Sequence, residues 1–492
     1  MVICLGLILP WSIAWAADPL GAYDGLGHGA GRLLSVPEAL PPPTPTMASL
    51  PPGWENQALS LAQISWLALR NNPRTHAAWA QLQAQAALLG QARSAWWPTL
   101  SLSVPLQRRR TTSAAGFALP QQDTASPNFS LTFLIWDFGH RSALIDQARA
   151  DVRAAEFAQN ATVQSVLYGV QQAYYALLGQ RALLDAYRAA LEQSRQALTA
   201  AEALHRAGRA TVSDLYQARA ALAQAQANLS MAEQSLNSDA GTLASAAGLP
   251  LNMHLHLAAL NVDAPPAMMQ SVASLMQAAL AANPGLRSAQ YQVTAAHAGL
   301  SAAERSDLPT VSLGADQGWH AQNGFGPSQQ YSIGITLTVP LFTGFQHTYQ
   351  VAQARAQLAQ ARASLDDTIN ATRLSVWQSY YAFRSASLAL PSAKAQEANA
   401  AKALEAVQAQ YRVGLATMQD LLSAQSALSS ARVAVIRDAI NSYLALAGLS
   451  SAVGTLSPPD GGMGRQRDES EDAAGHFPGV DKCCVNWHGT CL

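Results

Sequence analysis

No cysteine occurs between residues 5 and 482, so no disulfide can staple the body of this chain, and a small disulfide-framed secreted fold is excluded. Charge is scarce as well. Charged residues make up 12% of the 492, and the formal net charge is −1, which leaves no basic surplus for nucleic acid. Past residue 17 there is no run of ~18 apolar residues that could cross a bilayer as a helix, and mean hydropathy is only +0.03. Catalytic signatures are also missing. The chain contains no G-x-x-x-x-G-K-[ST], no G-x-S-x-G and no H-E-x-x-H, the arrangements that cradle phosphates, expose a nucleophilic serine or hold a catalytic zinc. No catalytic residue, cofactor or metal is therefore expected, and the chain does not read as an enzyme. His254 and His256 form an H-x-H pair, and Cys483, Cys484, His488 and Cys491 could ligate zinc on paper. Both are read as ordinary surface and tail residues.

What is present begins with an apolar stretch, VICLGLILPWSIAWA, ending in Ala14-Trp15-Ala16. This is the small-x-small pattern of an export signal, so residues 1–16 are expected to be removed. Residues 17–54, with PPPTP at 41–45, read as an extended Pro-rich segment. The tail at 451–492 loses all periodicity and is expected to be unstructured.

Between them the chain repeats itself. Asn72-Pro73 and Pro98-Thr99 recur as Asn283-Pro284 and Pro309-Thr310. QARA at 147–150 recurs at 353–356, Tyr174-Tyr175 recurs as Tyr380-Tyr381, and AAGL at 246–249 is matched to LAGL at 446–449. Two copies of one unit, 55–250 and 271–450, joined by a linker at 251–270, predict internal pseudo-symmetry.

Each unit reads helix, strand, strand, very long helix, helix. Period-two alternation marks strands at about 99–107, 128–137, 310–319 and 331–342. Their length is near the ~9–11 residues of a tilted membrane strand. Trp96, Trp97, Trp136, Phe138, Phe342 and Phe345 gather at the helix-proximal ends, as an aromatic belt at a membrane interface would. Four strands cannot close a barrel, and open edges in lipid are costly. The chain must therefore associate. Two copies give eight strands, filled by their own side chains; three give twelve, with room for water.

His140 to Arg206 contains no proline and predicts one helix of roughly 100 Å. Leu177, Leu184, Leu191 and Leu198, and on the returning helix Leu215, Leu222, Leu229, Leu236 and Leu243, recur every seven residues as a coiled-coil seam. Pro391 is expected to interrupt and kink the second long helix. The two hairpin tips share one grammar. Gly208 and Gly414 fit the left-handed position that ends a helix, Thr211 and Thr417 fit the N-cap of the next, and Asp214 and Asp420 complete capping boxes.

The duplicated unit, the LFTGF element at 341–345 and the G-x-x-T-x-x-D-L tips together resemble the TolC-type outer-membrane efflux proteins. The resemblance covers roughly residues 55 to 450. It implies a mainly α fold with a small β contribution. A homotrimer would combine a twelve-stranded outer-membrane β-barrel with a twelve-helix periplasmic α-barrel, docked by its tips on a periplasmic adaptor (membrane fusion) protein and an inner-membrane pump. It also implies a gate at the second tip. Tyr411 and Asp420 match two members of the family's network, while Ala416 stands where an Arg is expected and Ser423 where a second Asp is. The implied function is that of a passive outer-membrane duct exporting small toxic compounds or antibiotics, an aromatic acid such as fusaric acid among them. Two other readings stand beside it: a duct for type I protein secretion, and a periplasmic coiled-coil adaptor or scaffold. Outer-membrane lipid is an expected partner; nucleic acid is not.

Overall fold

The computed structural model describes residues 57–110, 121–251, 253, 255–258, 270–322 and 326–456. The export signal, the Pro-rich segment, His254, most of the 251–270 linker and the tail beyond 456 lie outside the described residues. The chain is mainly helical with a modest sheet. Its elements are α1 (Leu61–Asn71), α2 (Pro73–Ser94), β1 (Thr99–Ser103), β2 (Leu106–Arg109), β3 (Gln122–Ala125), β4 (Asn128–Trp136), α3 (His140–Arg206), α4 (Val212–Ala246), α5 (Val272–Ala282), α6 (Pro284–Arg305), β5 (Thr310–Gln322), β6 (Ser328–Thr338), α7 (Gln346–Val413) and α8 (Met418–Val453).

The six strand segments trace four strands. β1 pairs with β4 and β2 with β3 in one unbroken register, Leu102 opposite Phe129 and Leu106 opposite Ala125. The ladder is interrupted only where Pro105 and Pro127 lack a donor, and Ser126 N still donates to the Pro105 carbonyl at 3.0 Å. β5 pairs with β3 and β4 on one side and β6 on the other, all antiparallel. The result is a four-strand meander with two open edges, β1/β2 and β6. Four expected boundaries are corrected. The second strand reaches back to Gln122, the third runs on to Gln322 rather than 319, and the last runs 328–338 rather than 331–342, because Pro340 cannot continue a ladder; the second repeat passes 450, with α8 helical to Val453 where the tail was expected to begin at 451.

Cross-strand register sorts the side chains by face. One face carries Leu100, Leu131, Ala315 and Ile333 in one row, then Phe133, Leu313 and Ile335 in the next. The opposite face carries Ser101, Ser130, Asp316 and Ser332, then Thr99, Thr132, Gly314 and Gly334. The apolar face is exposed: Leu100, Ile333 and Ile335 each leave 69% or more of their surface uncovered. An apolar sheet face with a polar reverse is the pattern of a strand between lipid and a watery lumen.

The helices form two antiparallel hairpins, α3/α4 and α7/α8, and α3 also packs on α2, α6 and α8. α3 has the predicted limits. Leu177, Leu184 and Leu191 are buried along it, but the buried line of α4 is Ala218, Ala225 and Ala232. Of the predicted leucine seam of α4, Leu243 is fully buried, while Leu215, Leu222, Leu229 and Leu236 flank the contact, and alanine at its centre lets the helix backbones approach closely. The expected interruption at Pro391 does not occur: α7 continues through it. Pro391 lies on an exposed side of the helix, with buried Leu390 and Ala393 beside it, so water can take the freed carbonyl.

Each repeat closes on itself through one knot. Asn72 Oδ1 accepts from Arg74 N at the start of α2, and its Nδ2 donates to the Ala246 carbonyl at 3.0 Å. Asn283 does the same with Leu286 N and the Ala452 carbonyl at 3.2 Å. Gly248 and Gly454 end α4 and α8 at φ 68° and 84°. A Cβ on either would lie 2.7 Å from the backbone of Asn71 or Asn283. Structurally, then, Gly248 pairs with Gly454. The matched Gly448 lies inside α8 instead. Gly248→Ala should cost about 2 kcal/mol or more, because it combines a positive φ with a backbone clash. A lower dissociation temperature of the detergent-extracted protein would report it.

Candidate functional site

The two hairpin tips are built alike. At the first, Gly208 (φ 69°) ends α3, with Gly208 N donating to the His205 carbonyl and Arg209 N to that of Leu204, each at 2.9 Å. At the second, Gly414 (φ 84°) ends α7, and Leu415 N donates to the Gln410 carbonyl at 2.8 Å. Both are reversals in which a left-handed residue satisfies the last helix carbonyls. The next helix then opens on a reciprocal cap. Asp214 N donates to Thr211 Oγ1 at 3.1 Å and Thr211 N to Asp214 Oδ2 at 2.8 Å. Asp420 N donates to Thr417 Oγ1 at 3.2 Å and Thr417 N to Asp420 Oδ2 at 2.9 Å.

Electrostatics follow from these bonds. The Thr417 hydroxyl and amide hold the Asp420 carboxyl below the usual carboxylate range. A group with a depressed folded pKa stabilises fully above its unfolded value, about 3.9, and that contribution is lost as pH falls through the lower folded value. The second tip should stay capped at pH 5 and fray in stronger acid. Thr417→Ala should cost about 1 kcal/mol of cap, seen as roughly fivefold faster hydrogen exchange at the amides of 418–420.

Tyr411 lies deeper. It is 6% exposed and packs with Met418, Leu421, Leu404 and Ala218, and its hydroxyl has no hydrogen-bond partner among the described residues. Burial pushes its pKa up, and the Asp214 carboxylate pushes it the same way. The structure thus brings Tyr411 of the second tip near Asp214 of the first, whereas Asp214 and Asp420 each serve their own cap. Ala416 joins the apolar cluster, and Ser423 accepts a bond from Gln419 Nε2 at 3.4 Å. Sequence reading missed Arg209, whose Nη2 donates to the Val413 carbonyl at 3.3 Å and ties one tip to the other. One signal was available: Arg209 is where the repeat breaks, standing opposite Leu415.

At the other end of the helices, the six aromatic residues are 48% to 77% exposed around the strand–helix junctions. Trp136 meets Phe138 edge-on at 6.1 Å, and Phe342 meets Phe345 at 5.6 Å. Trp96 lies under the guanidinium of Arg141 at 4.1 Å. Phe138 and Phe345 take left-handed φ values of 51° and 64° to turn strand into helix. A second aromatic group, not anticipated, sits on the apolar face of the sheet: Phe129 against Trp319 at 6.1 Å, with Tyr331 beside Phe129 across Gln317. Eight residues separate Val311 from Trp319, so the two aromatic groups lie about 26 Å apart along the strand, at opposite ends of the apolar face. Among the described residues, no helix is long and apolar enough to cross a membrane, and no cluster of His, Cys, Asp or Glu could hold a metal.

Comparison with known proteins agrees with this geometry. A family model described as outer membrane efflux protein matches residues 65–249 and 275–455. Protein CyaE of Bordetella pertussis is 28% identical over 428 residues, spanning 85% of this chain and 89% of its own. Outer membrane efflux protein BepC of Brucella suis is 27% identical over 407 residues, spanning 80% and 85%. The solved Campylobacter jejuni CmeC outer membrane channel shares the fold, with a TM-score of 0.73 at 20% identity over 86% of this chain and 94% of that one.

Proposed function

The chain belongs to the outer membrane efflux protein family, and on that premise we propose that it works as a homotrimeric duct driven by partners. It is an efflux channel protein of the Gram-negative outer membrane that extends into the periplasm. The observation that carries the trimer is the sheet: among the described residues, four strands, apolar on one face and polar on the other, with both edges unpaired. Each unpaired edge group in lipid costs several kcal/mol. Edge-to-edge closure of three copies removes every edge and leaves a lumen wide enough for solutes. The long hairpins continue that lumen through the periplasm, and their tips, Gly208 to Asp214 and Tyr411 to Asp420, form the end that meets a periplasmic adaptor and an inner-membrane pump. Tyr411, Asp214 and Asp420 serve there as gate residues, with Ala416 and Ser423 in place of charged members.

The cargo proposed is small toxic compounds or antibiotics. A strain lacking this protein should become several-fold more susceptible to dyes, detergents and aromatic acids, with resistance restored by the intact gene. Unchanged susceptibility together with loss of one secreted polypeptide would select the type I secretion duct instead.

A further inference from the structure

We propose that Asp316 sets the charge preference of the barrel, its three copies favouring cations over anions in the membrane-spanning lumen. The inference rests on the trimeric barrel proposed above and goes beyond it to selectivity.

The register makes the inward face of the four strands a lining of mostly Ser, Thr, Asn, Gln and Gly, with Leu134, opposite Ser312, apolar at its helix-proximal end. Among the described residues, the titratable side chains on this face are Arg109, Asp316 and His320. They stand at different heights. Asp316 shares its row with Ser101, Ser130 and Ser332, level with the middle of the apolar band outside. His320 lies four residues further out, its Nδ1 at 2.8 Å from Ser126 Oγ. Arg109, opposite Gln122, lies about 26 Å beyond Asp316 along the strands. No cation faces Asp316 across its row, and it makes no ion pair among the described residues.

The consequence is a weak but unopposed field. A twelve-stranded barrel has a backbone radius of about 12 Å, which places three carboxylates about 9 Å from the axis. At 0.1 M salt, where the Debye length is about 10 Å, their summed potential favours a monovalent cation over an anion on the axis by about fivefold. At 1 M the Debye length is about 3 Å, and the preference falls close to unity. Removing the opposing Arg109 changes little, because it lies more than two Debye lengths away at 0.1 M.

The test is the reversal potential of the purified full-length protein in planar bilayers under a KCl gradient, for wild type, Asp316→Asn, Asp316→Glu and Arg109→Gln. The expected result is a fall of at least about twofold in the cation-to-anion permeability ratio for Asp316→Asn at 0.1 M, vanishing at 1 M. Asp316→Glu and Arg109→Gln should behave as wild type. An unchanged reversal potential in Asp316→Asn, from a protein with wild-type conductance, overturns the inference and leaves the barrel standing. A wild type that runs as a monomer after detergent extraction overturns the barrel itself.

Discussion

Ile333→Arg is expected to abolish accumulation of the protein in the outer membrane, whereas Ser332→Arg, one residue away, leaves it in place. The two positions are neighbours in β6 with opposite surroundings. Ile333 is 74% exposed on the apolar face, in the row Leu100, Leu131 and Ala315 near the middle of the band. Ser332 shares its row with Ser101, Ser130 and Asp316 on the polar face. An arginine on the lipid side at mid-depth costs about 2–4 kcal/mol, and a trimer carries it three times. On the lumen side it meets water and a carboxylate. Membrane fractionation with an assay for the heat-dissociable oligomer measures both variants. If the two were equally well inserted, neither face would be lipid-facing.

Arg141→Leu should cost about 3–5 kcal/mol per chain, the usual price of leaving one partner of a buried ion pair alone. Arg141 is 4% exposed and sits where the sheet turns into α3. Its Nε bonds Asp137 Oδ2 at 3.2 Å, Nη1 bonds the carbonyls of Ala95 at 3.0 Å and Leu134 at 2.7 Å, and Nη2 bonds that of Ile135 at 3.2 Å. Asp137 in turn accepts from the backbone amide of Arg141 at 2.7 Å. Truncation strands a buried carboxylate and three carbonyls together, and removes the cation from the face of Trp96. Arg141→Lys keeps the charge but not the planar fork, so it should recover only part of the loss. The dissociation temperature of the oligomer in detergent separates the three proteins. A leucine variant as stable as wild type would show that the junction is held by packing alone.

The long helices were the most legible part of the sequence. A proline-free stretch with a glycine stop gives the limits of α3 directly, and the Gly-x-x-Thr-x-x-Asp grammar gives both tips, since caps are local chemistry. Strand limits were less legible. Prolines at 105, 127 and 340 cut ladders that the alternation alone carries through, and Gln122 to Ala125 show no clear alternation of their own. The AAGL motif misled because LAGL at 446–449 is the closer match in letters. The structural partner of Gly248 is Gly454, in AVGT, where a helix must end against Asn283. Contacts across the fold were invisible for a different reason. Whether Arg209 reaches Val413, Arg141 reaches Ala95, or Trp319 reaches Phe129 depends on how separate elements are aligned. One unit repeated twice fixes what each element is, not which side chains finally meet.

The central claim is that three copies close one barrel, and the native mass of the protein extracted from isolated outer membranes tests it most directly. The account predicts a single heat-dissociable species near three times the mass of the mature chain, found in the outer-membrane fraction. A soluble periplasmic monomer or dimer would contradict it, since an exposed apolar sheet with two open edges would then have to find its cover within one or two chains.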